Sequence, residues 1–79
     1  MNVVIYSKEN CPHCLKAKDI LSKHNPKILM LGKDISRDEF LKKFPGAKQV
    51  PQIIINNEHV GGFEDTEKWL AFNEINEEF

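Results

Sequence analysis

The 79-residue sequence is poor in three respects: it has two Cys, one Trp and one Tyr, and no unbroken apolar run exceeds four residues. A bilayer-spanning helix needs about 20 consecutive apolar residues, so a helical membrane span is excluded and no membrane partner is expected. Two Cys this close in sequence close too short a loop to constrain the unfolded chain, which excludes a fold held together by disulfides. Zinc fails for want of ligands: it takes four, there is no second Cys pair, and His24 and His59 do not stand at metal-finger spacing. No metal site is expected. Met1 leads straight into an apolar run, without the basic segment and cleavage site of a secretory signal. The expected compartment is therefore the reducing cytoplasm, where a Cys-x-x-Cys is catalytic or metal-binding sooner than structural. Internal repeats, low-complexity stretches and linkers are also missing, so the expectation is one domain over residues 1–79 with a small core.

Net charge is −1 but unevenly laid out. Residues 1–48 hold ten of the 11 Lys and Arg against five acids, and residues 49–79 one Lys against seven acids, or +5 and −6. This predicts a basic side near Cys11 and an acidic C-terminal helix. Solvated helix faces account for most of these Lys. Nucleic acid is not an expected partner, because the basic residues are interleaved with acids and lack an aromatic stacking platform.

The sharpest motif is Cys11-Pro12-His13-Cys14, preceded by Val3-Val4-Ile5-Tyr6 and a short polar stretch, and continued by Leu15 to Leu21. It reads as strand, loop and helix. Proline suits the first helical position, where the N–H it lacks would be unpaired anyway, so Cys11 falls at the helix N-terminus as the exposed thiol. The partial positive charge and free N–H donors there favour thiolate over thiol, and Lys8 adds to them. Cys14, three residues on, faces the same side within disulfide reach. With Ala17, Leu21, His24 and the neighbouring Ile20 it forms the apolar face of the helix, which makes it the sheltered sulfur. An activated Cys that attacks, backed by a sheltered one that resolves the mixed disulfide, is what thiol–disulfide exchange requires.

Strand and helix continue to alternate. Asn25-Pro26 breaks the first helix, and Lys27 to Leu31 reads as a second, buried strand ended by Gly32. Ser36 and Glu39 have the capping-box form ahead of Phe40, Leu41 and Phe44, a helix that stops before Pro45-Gly46. Ala47 to Pro51 is a loop, Gln52 to Ile55 a strand, Asn56-Asn57 a turn, and Glu58-His59-Val60 the returning antiparallel strand. Gly61-Gly62 interrupts that strand, as a bulge or as a point of close approach by a ligand. Asp65 reads as the N-cap of a last helix from Thr66, with Trp69, Leu70, Phe72, Ile75 and Phe79 as its core contacts. His24 is expected to cap the end of the first helix and His59 to sit on a hairpin strand. The order is βαβαββα: an α/β fold with a parallel βαβ unit joined to a β-hairpin, four strands in a mixed sheet flanked by three helices.

Three stretches together resemble the signatures of the glutaredoxin family: Ile5 to Cys14, Val50-Pro51-Gln52-Ile53-Ile54-Ile55, and His59-Val60-Gly61-Gly62-Phe63-Glu64-Asp65. They stand in the family's order and cover nearly the whole chain. A lone Cys-x-x-Cys is a weak signal, but its combination with Val-Pro and Gly-Gly-x-x-Asp at these separations is a strong one. The resemblance implies a thioredoxin-like fold and a glutathione-dependent thiol–disulfide oxidoreductase acting on protein disulfides and glutathione mixed disulfides. It further implies a monomer with glutathione as co-substrate and no tightly bound cofactor. The implied partners are disulfide-containing proteins, with ribonucleotide reductase a family-level candidate.

Carried over by position, the resemblance makes Cys11 the nucleophile, Cys14 the resolving thiol and Val50-Pro51 a cis peptide facing them. Val50 would pair its main chain with the cysteine of glutathione as an added strand does, flanked by Gln49 and Pro51. Gly62, Glu64 and Asp65, with the helix N-terminus behind them, would receive the γ-glutamyl end. Lys8 would meet the glycine carboxylate or steady the thiolate. Three positions depart from the commoner pattern: His13 stands where Tyr is usual, Gln49 where Thr is usual, and Phe63 in a variable position. His13 replaces one wall of the glutathione groove with an imidazole, a side chain that changes charge around neutrality. Protonated, it would favour the Cys11 thiolate and the reduced dithiol, making the couple more oxidising. Two other classes stay open: a thioredoxin-like donor reduced by a flavoprotein reductase, and an iron–sulfur carrier holding a cluster between two protomers with glutathione. Pro12 and Cys14 argue against the carrier, whose subgroup resembles a single-Cys, proline-free motif.

Overall fold

The computed structural model describes the backbone of residues 2–78 and the side chains of residues 2–72. In chain order the elements are β1 (Val3–Ser7), α1 (Pro12–Ile20), a 3-10 turn (Ser22–His24), β2 (Lys27–Met30), α2 (Arg37–Lys43), β3 (Gln52–Ile55), β4 (Glu58–Gly61) and α3 (Phe63–Glu78). This is the expected βαβαββα order. The strands form one mixed sheet, β2-β1-β3-β4. Ile5 of β1 lies opposite Ile28 of β2 in a parallel ladder and opposite Ile53 of β3 in an antiparallel one. Among the described residues no helix is long and apolar enough to cross a membrane.

Period-two alternation in β1 separates two cores. Val3 and Ile5 pack with Ala17 and Leu21 around α1, with Ile53 and Ile55 of β3, and with Leu70 of α3. Tyr6 belongs to the other cluster, with Phe40 and Phe44 from α2 and its C-terminal end, bordered by Val4, Leu29 and Ile54. Burying a side chain such as Ile5 or Ile53 stabilises by about 1.5–3 kcal/mol. The Tyr6 and Phe44 rings meet edge-on at 5.0 Å, and Phe40 and Phe44 at 5.2 Å. Two helices thus cover one face of the sheet and one covers the other, which leaves the loop ends after β1 and before β3 free to meet.

Local signals were obeyed closely at the hairpin. Asn56 and Asn57 have φ of 52° and 66°, the left-handed pair that a tight two-residue hairpin turn needs. At α2 the Ser36 hydroxyl accepts from the Glu39 N–H at 3.1 Å, as a capping box requires. The Glu39 carboxylate, however, accepts from the Ser36 hydroxyl at 3.0 Å, not from the Ser36 N–H.

Several expectations are corrected. β2 is not a buried strand: it pairs only with β1 at the edge of the sheet, stops at Met30, and leaves Lys27 and Ile28 exposed. α1 ends at Ile20 with Leu21 as its C-cap, so His24 closes the following 3-10 turn instead of capping the helix. Leu41 of α2 is exposed. α3 starts at Phe63, three residues before the expected Thr66. Phe72 is 78% exposed, not core; at 3.6 residues per turn it lies about 200° round the helix from the buried Leu70. Trp69 does pack against the core, with its indole N–H donating to Glu58 at 3.3 Å. The Ile75 and Phe79 side chains lie outside the described residues.

Candidate active site

After β1 the chain turns through Asn10, at φ 55°, into α1. Cys11 takes the N-cap, with Pro12 in the first turn, and its Sγ accepts from the Cys14 N–H at 3.3 Å. A thiolate at this sulfur would meet the positive end of the helix and a directed donor, both of which favour it over the thiol. The Cys11 and Cys14 Cα atoms are 5.2 Å apart and their sulfurs are at disulfide distance. Cys14 is fully buried, and Cys11 is only 7% exposed. The expected exposed thiol is therefore corrected: Cys11 is the more accessible sulfur, but it is tucked under the loop before β3. The Val50 carbonyl oxygen lies 3.8 Å from Cys11 Sγ, where it would accept from the reduced thiol.

That loop carries the Val50–Pro51 cis peptide. Pairing of β3 with β1 begins at Gln52, so the Val50 main chain lies outside that ladder and beside the sulfur. The Gln52 side chain steadies the loop, donating to the Gln49 carbonyl at 3.0 Å while its own carbonyl meets His59 Nε2 at 2.8 Å.

Seven of the predicted binding residues line one groove of about 340 Å³: His13, Gln49, Val50, Pro51, Gly62, Glu64 and Asp65. Lys8 does not. It lines a second cleft of about 550 Å³ that shares Gln49 and Val50 with the first. The groove also takes in Gly61, of the glycine pair read as a bulge or a point of close approach, and Gln52 and Phe63, which the sequence did not place there. Phe63 stacks on the His13 ring at 6.0 Å and 26°, so two of the three departures from the family pattern together form one wall. The available signal was an aromatic residue directly after Gly-Gly, at the start of a helix.

The glycines fit the β4–α3 junction tightly. The ladder between β3 and β4 shifts register at Ile53/Ile54, opposite Gly61, the expected bulge. Gly61 has φ 123°, and a Cβ there would come within 2.5 Å of Asp65 Oδ2. Asp65 is not the N-cap: it is the third residue of α3 and reaches back to the Gly62 N–H at 3.4 Å. Gly62 has no side chain to return the bond, and its carbonyl instead accepts from the Thr66 hydroxyl at 2.9 Å. Glu64 and Asp65 thus place two carboxylates in the first turn of a helix at the rim of the groove. Among the described residues no group of three or more His, Cys, Asp or Glu is placed to hold a metal ion.

Residues 3–60 match the family model described as Glutaredoxin. Glutaredoxin 3 of Escherichia coli (strain K12) is 42% identical over 67 residues, a match covering 81% of this chain and 80% of that protein. Glutaredoxin 1 of Rickettsia prowazekii is 39% identical over 69 residues, covering 80% of this chain and 70% of that protein. The share falls to 64% of the length of its Rickettsia typhi counterpart. In three dimensions the chain superposes on reduced Escherichia coli glutaredoxin with a TM-score of 0.76 at 28% identity, over 92% of this chain and 96% of that one.

Proposed function

The chain belongs to the glutaredoxin family of thiol–disulfide oxidoreductases, and from that premise we propose that it is a glutathione-dependent reductase of protein disulfides and glutathione mixed disulfides, a cytoplasmic monomer working through Cys11 and Cys14. One observation carries this reading: Cys11 Sγ sits between a helix N-terminus and the carbonyl of Val50, a residue that lines a groove together with Glu64 and Asp65.

With a glutathione mixed disulfide, the Cys11 thiolate attacks the glutathione sulfur and the substrate leaves as a thiolate. A second glutathione thiolate then attacks the same sulfur, releasing glutathione disulfide and restoring Cys11. With a protein disulfide, Cys11 attacks first and Cys14 resolves the mixed disulfide. Two electrons pass to the substrate, and two glutathiones later restore the dithiol.

In the groove, Val50 pairs its main chain with the glutathione cysteine, with Gln49 and Pro51 at its sides. Glu64 and Asp65 meet the γ-glutamyl ammonium, and the N–H groups at the start of α3 meet its carboxylate. Gly62 permits close approach, the His13–Phe63 stack walls the side, and Lys8 reaches the glycine carboxylate from the neighbouring cleft. Ribonucleotide reductase enters as a candidate substrate through the family alone. The test is reduction of a small mixed disulfide with either glutathione plus glutathione reductase, or thioredoxin reductase, as electron source. Turnover with the first supports the proposal; turnover only with the second replaces it with a thioredoxin-like donor.

A further inference from the structure

His59 does not line the groove, yet its ring is fixed from two sides. It lies opposite Ile54 in the β3–β4 ladder, on the face of the sheet covered by Phe40 and Phe44, and its ring centroid is 4.6 Å from that of the buried Phe44. Its Nε2 is 2.8 Å from Gln52 Oε1, while Gln52 Nε2 donates to the Gln49 carbonyl at 3.0 Å. The direction of this chain of bonds follows from its last member. A carbonyl only accepts, so Gln52 turns its NH2 to Gln49 and its oxygen to His59, and His59 Nε2 must carry a hydrogen. The neutral ring protonated at Nε2 and the imidazolium both supply it.

The chain ends in the loop beside Cys11. The Gln49–Val50 peptide is trans and planar, so its carbonyl and its N–H point to opposite sides. Holding the Gln49 carbonyl therefore sets the direction of the Val50 N–H, half of the main-chain pair offered to the cysteine of glutathione. Among the described residues, the main chain of residues 48–50 has one other hydrogen bond, from the Cys11 thiol to the Val50 carbonyl. Apart from the dithiol, the aim of this loop depends on Gln52, and the orientation of Gln52 on His59.

We propose that His59 is a positioning residue for the thiol–disulfide reaction, which holds Gln52 in one orientation and through it aims the Val50 main chain at the substrate's cysteine. This rests on the glutathione reading and adds to it a residue outside the groove. His59 acts only through Gln52, so its loss leaves the reactivity of Cys11 alone. A main-chain pair that serves bound substrate and transition state alike shows in KM and not in kcat. The rival role is cross-strand packing of the ring on Phe44, which needs a ring but no donor.

The test compares His59→Phe, which keeps a ring and loses the donor, with His59→Gln, which keeps an N–H donor and loses the ring. His59 is exposed, so both should fold. With a glutathione mixed disulfide, glutathione and glutathione reductase, His59→Phe should raise KM about fivefold, the worth of roughly one net hydrogen bond. Its kcat should stay within about twofold, and His59→Gln should restore KM. Gln52→Leu should raise KM similarly, and adding His59→Phe to it should change nothing further. The alkylation rate of reduced Cys11 should be the same in both His59 variants. In the reduced protein without glutathione, the Val50 amide resonance should move in His59→Phe and return in His59→Gln. An unchanged KM in His59→Phe, an equal rise in His59→Gln, or a further rise on the Gln52→Leu background overturns the proposal. So does a Val50 amide that ignores His59→Phe. That last measurement needs no turnover, so failure here is separate from failure of the glutathione reading.

Discussion

Gly61→Ala tests how the end of β4 and the start of α3 are fitted together. At φ 123° a residue with a Cβ is strained by about 1–3 kcal/mol. The added methyl would also stand 2.5 Å from Asp65 Oδ2 and 3.1 Å from its Cβ and Cγ, too close for unbonded atoms, so the carboxylate must leave. Its contact with the Gly62 N–H and its place in the first turn of α3 go with it, together about 1 kcal/mol. The expected loss is about 2–4 kcal/mol, read from urea unfolding with an unchanged m-value. A double-mutant cycle separates the two parts. Asp65→Ala alone should cost about 1 kcal/mol, but almost nothing when added to Gly61→Ala, a coupling of about 1 kcal/mol. Both single variants should also raise KM for glutathione substrates more than they lower kcat, since in the proposed role Asp65 would bind ground and transition states alike. The reasoning is refuted if Gly61→Ala changes stability by less than about 0.5 kcal/mol, or if the two substitutions act additively.

Cys11→Ser should abolish turnover, whereas Cys14→Ser should keep activity on glutathione mixed disulfides and lose protein-disulfide reduction, because only the second reaction needs an internal resolving thiol. Equal loss of both activities in a glutathione reductase-coupled assay would count against these roles. His13→Tyr should make the couple more reducing, since a protonated imidazole two residues from the Cys11 thiolate favours the reduced form. Redox equilibration against glutathione across pH reads the shift at about 30 mV per 1.4 kcal/mol, and an unmoved potential leaves α1 and Lys8 to activate the thiol alone. Ile53→Ala deletes a fully buried side chain of the larger core and should cost about 2–5 kcal/mol in chemical denaturation. A loss below about 1 kcal/mol would show that this cluster does not hold the sheet to α1 and α3.

The parts of this protein that could be read from the chain alone are those decided within a turn of helix or a hairpin. Pro12 has one comfortable place, the first turn of α1, and this puts Cys11 at the cap and Cys14 beneath it. Ser36 and Glu39 start α2, Asn56-Asn57 turns the hairpin, and the alternation of β1 divides its side chains between two faces, all through near neighbours in sequence. What the chain could not state was what would come alongside. Lys27 to Met30 reads the same whether one strand or two flank it, and only the sheet order makes it an edge. Asp65 looks locally like a cap, but the backbone had already turned helical at Phe63, with Asp65 reaching back to Gly62. Cys11 is covered by Val50, 39 residues away in sequence, and His13 finds Phe63 across the groove. Lys8, Arg37 and Lys48 share a cleft because the ends of β1, α2 and the loop before β3 converge there. Dihedral preferences and caps are short-range and travel with the sequence; burial and partnership depend on long-range contacts, which exist only once the sheet has closed.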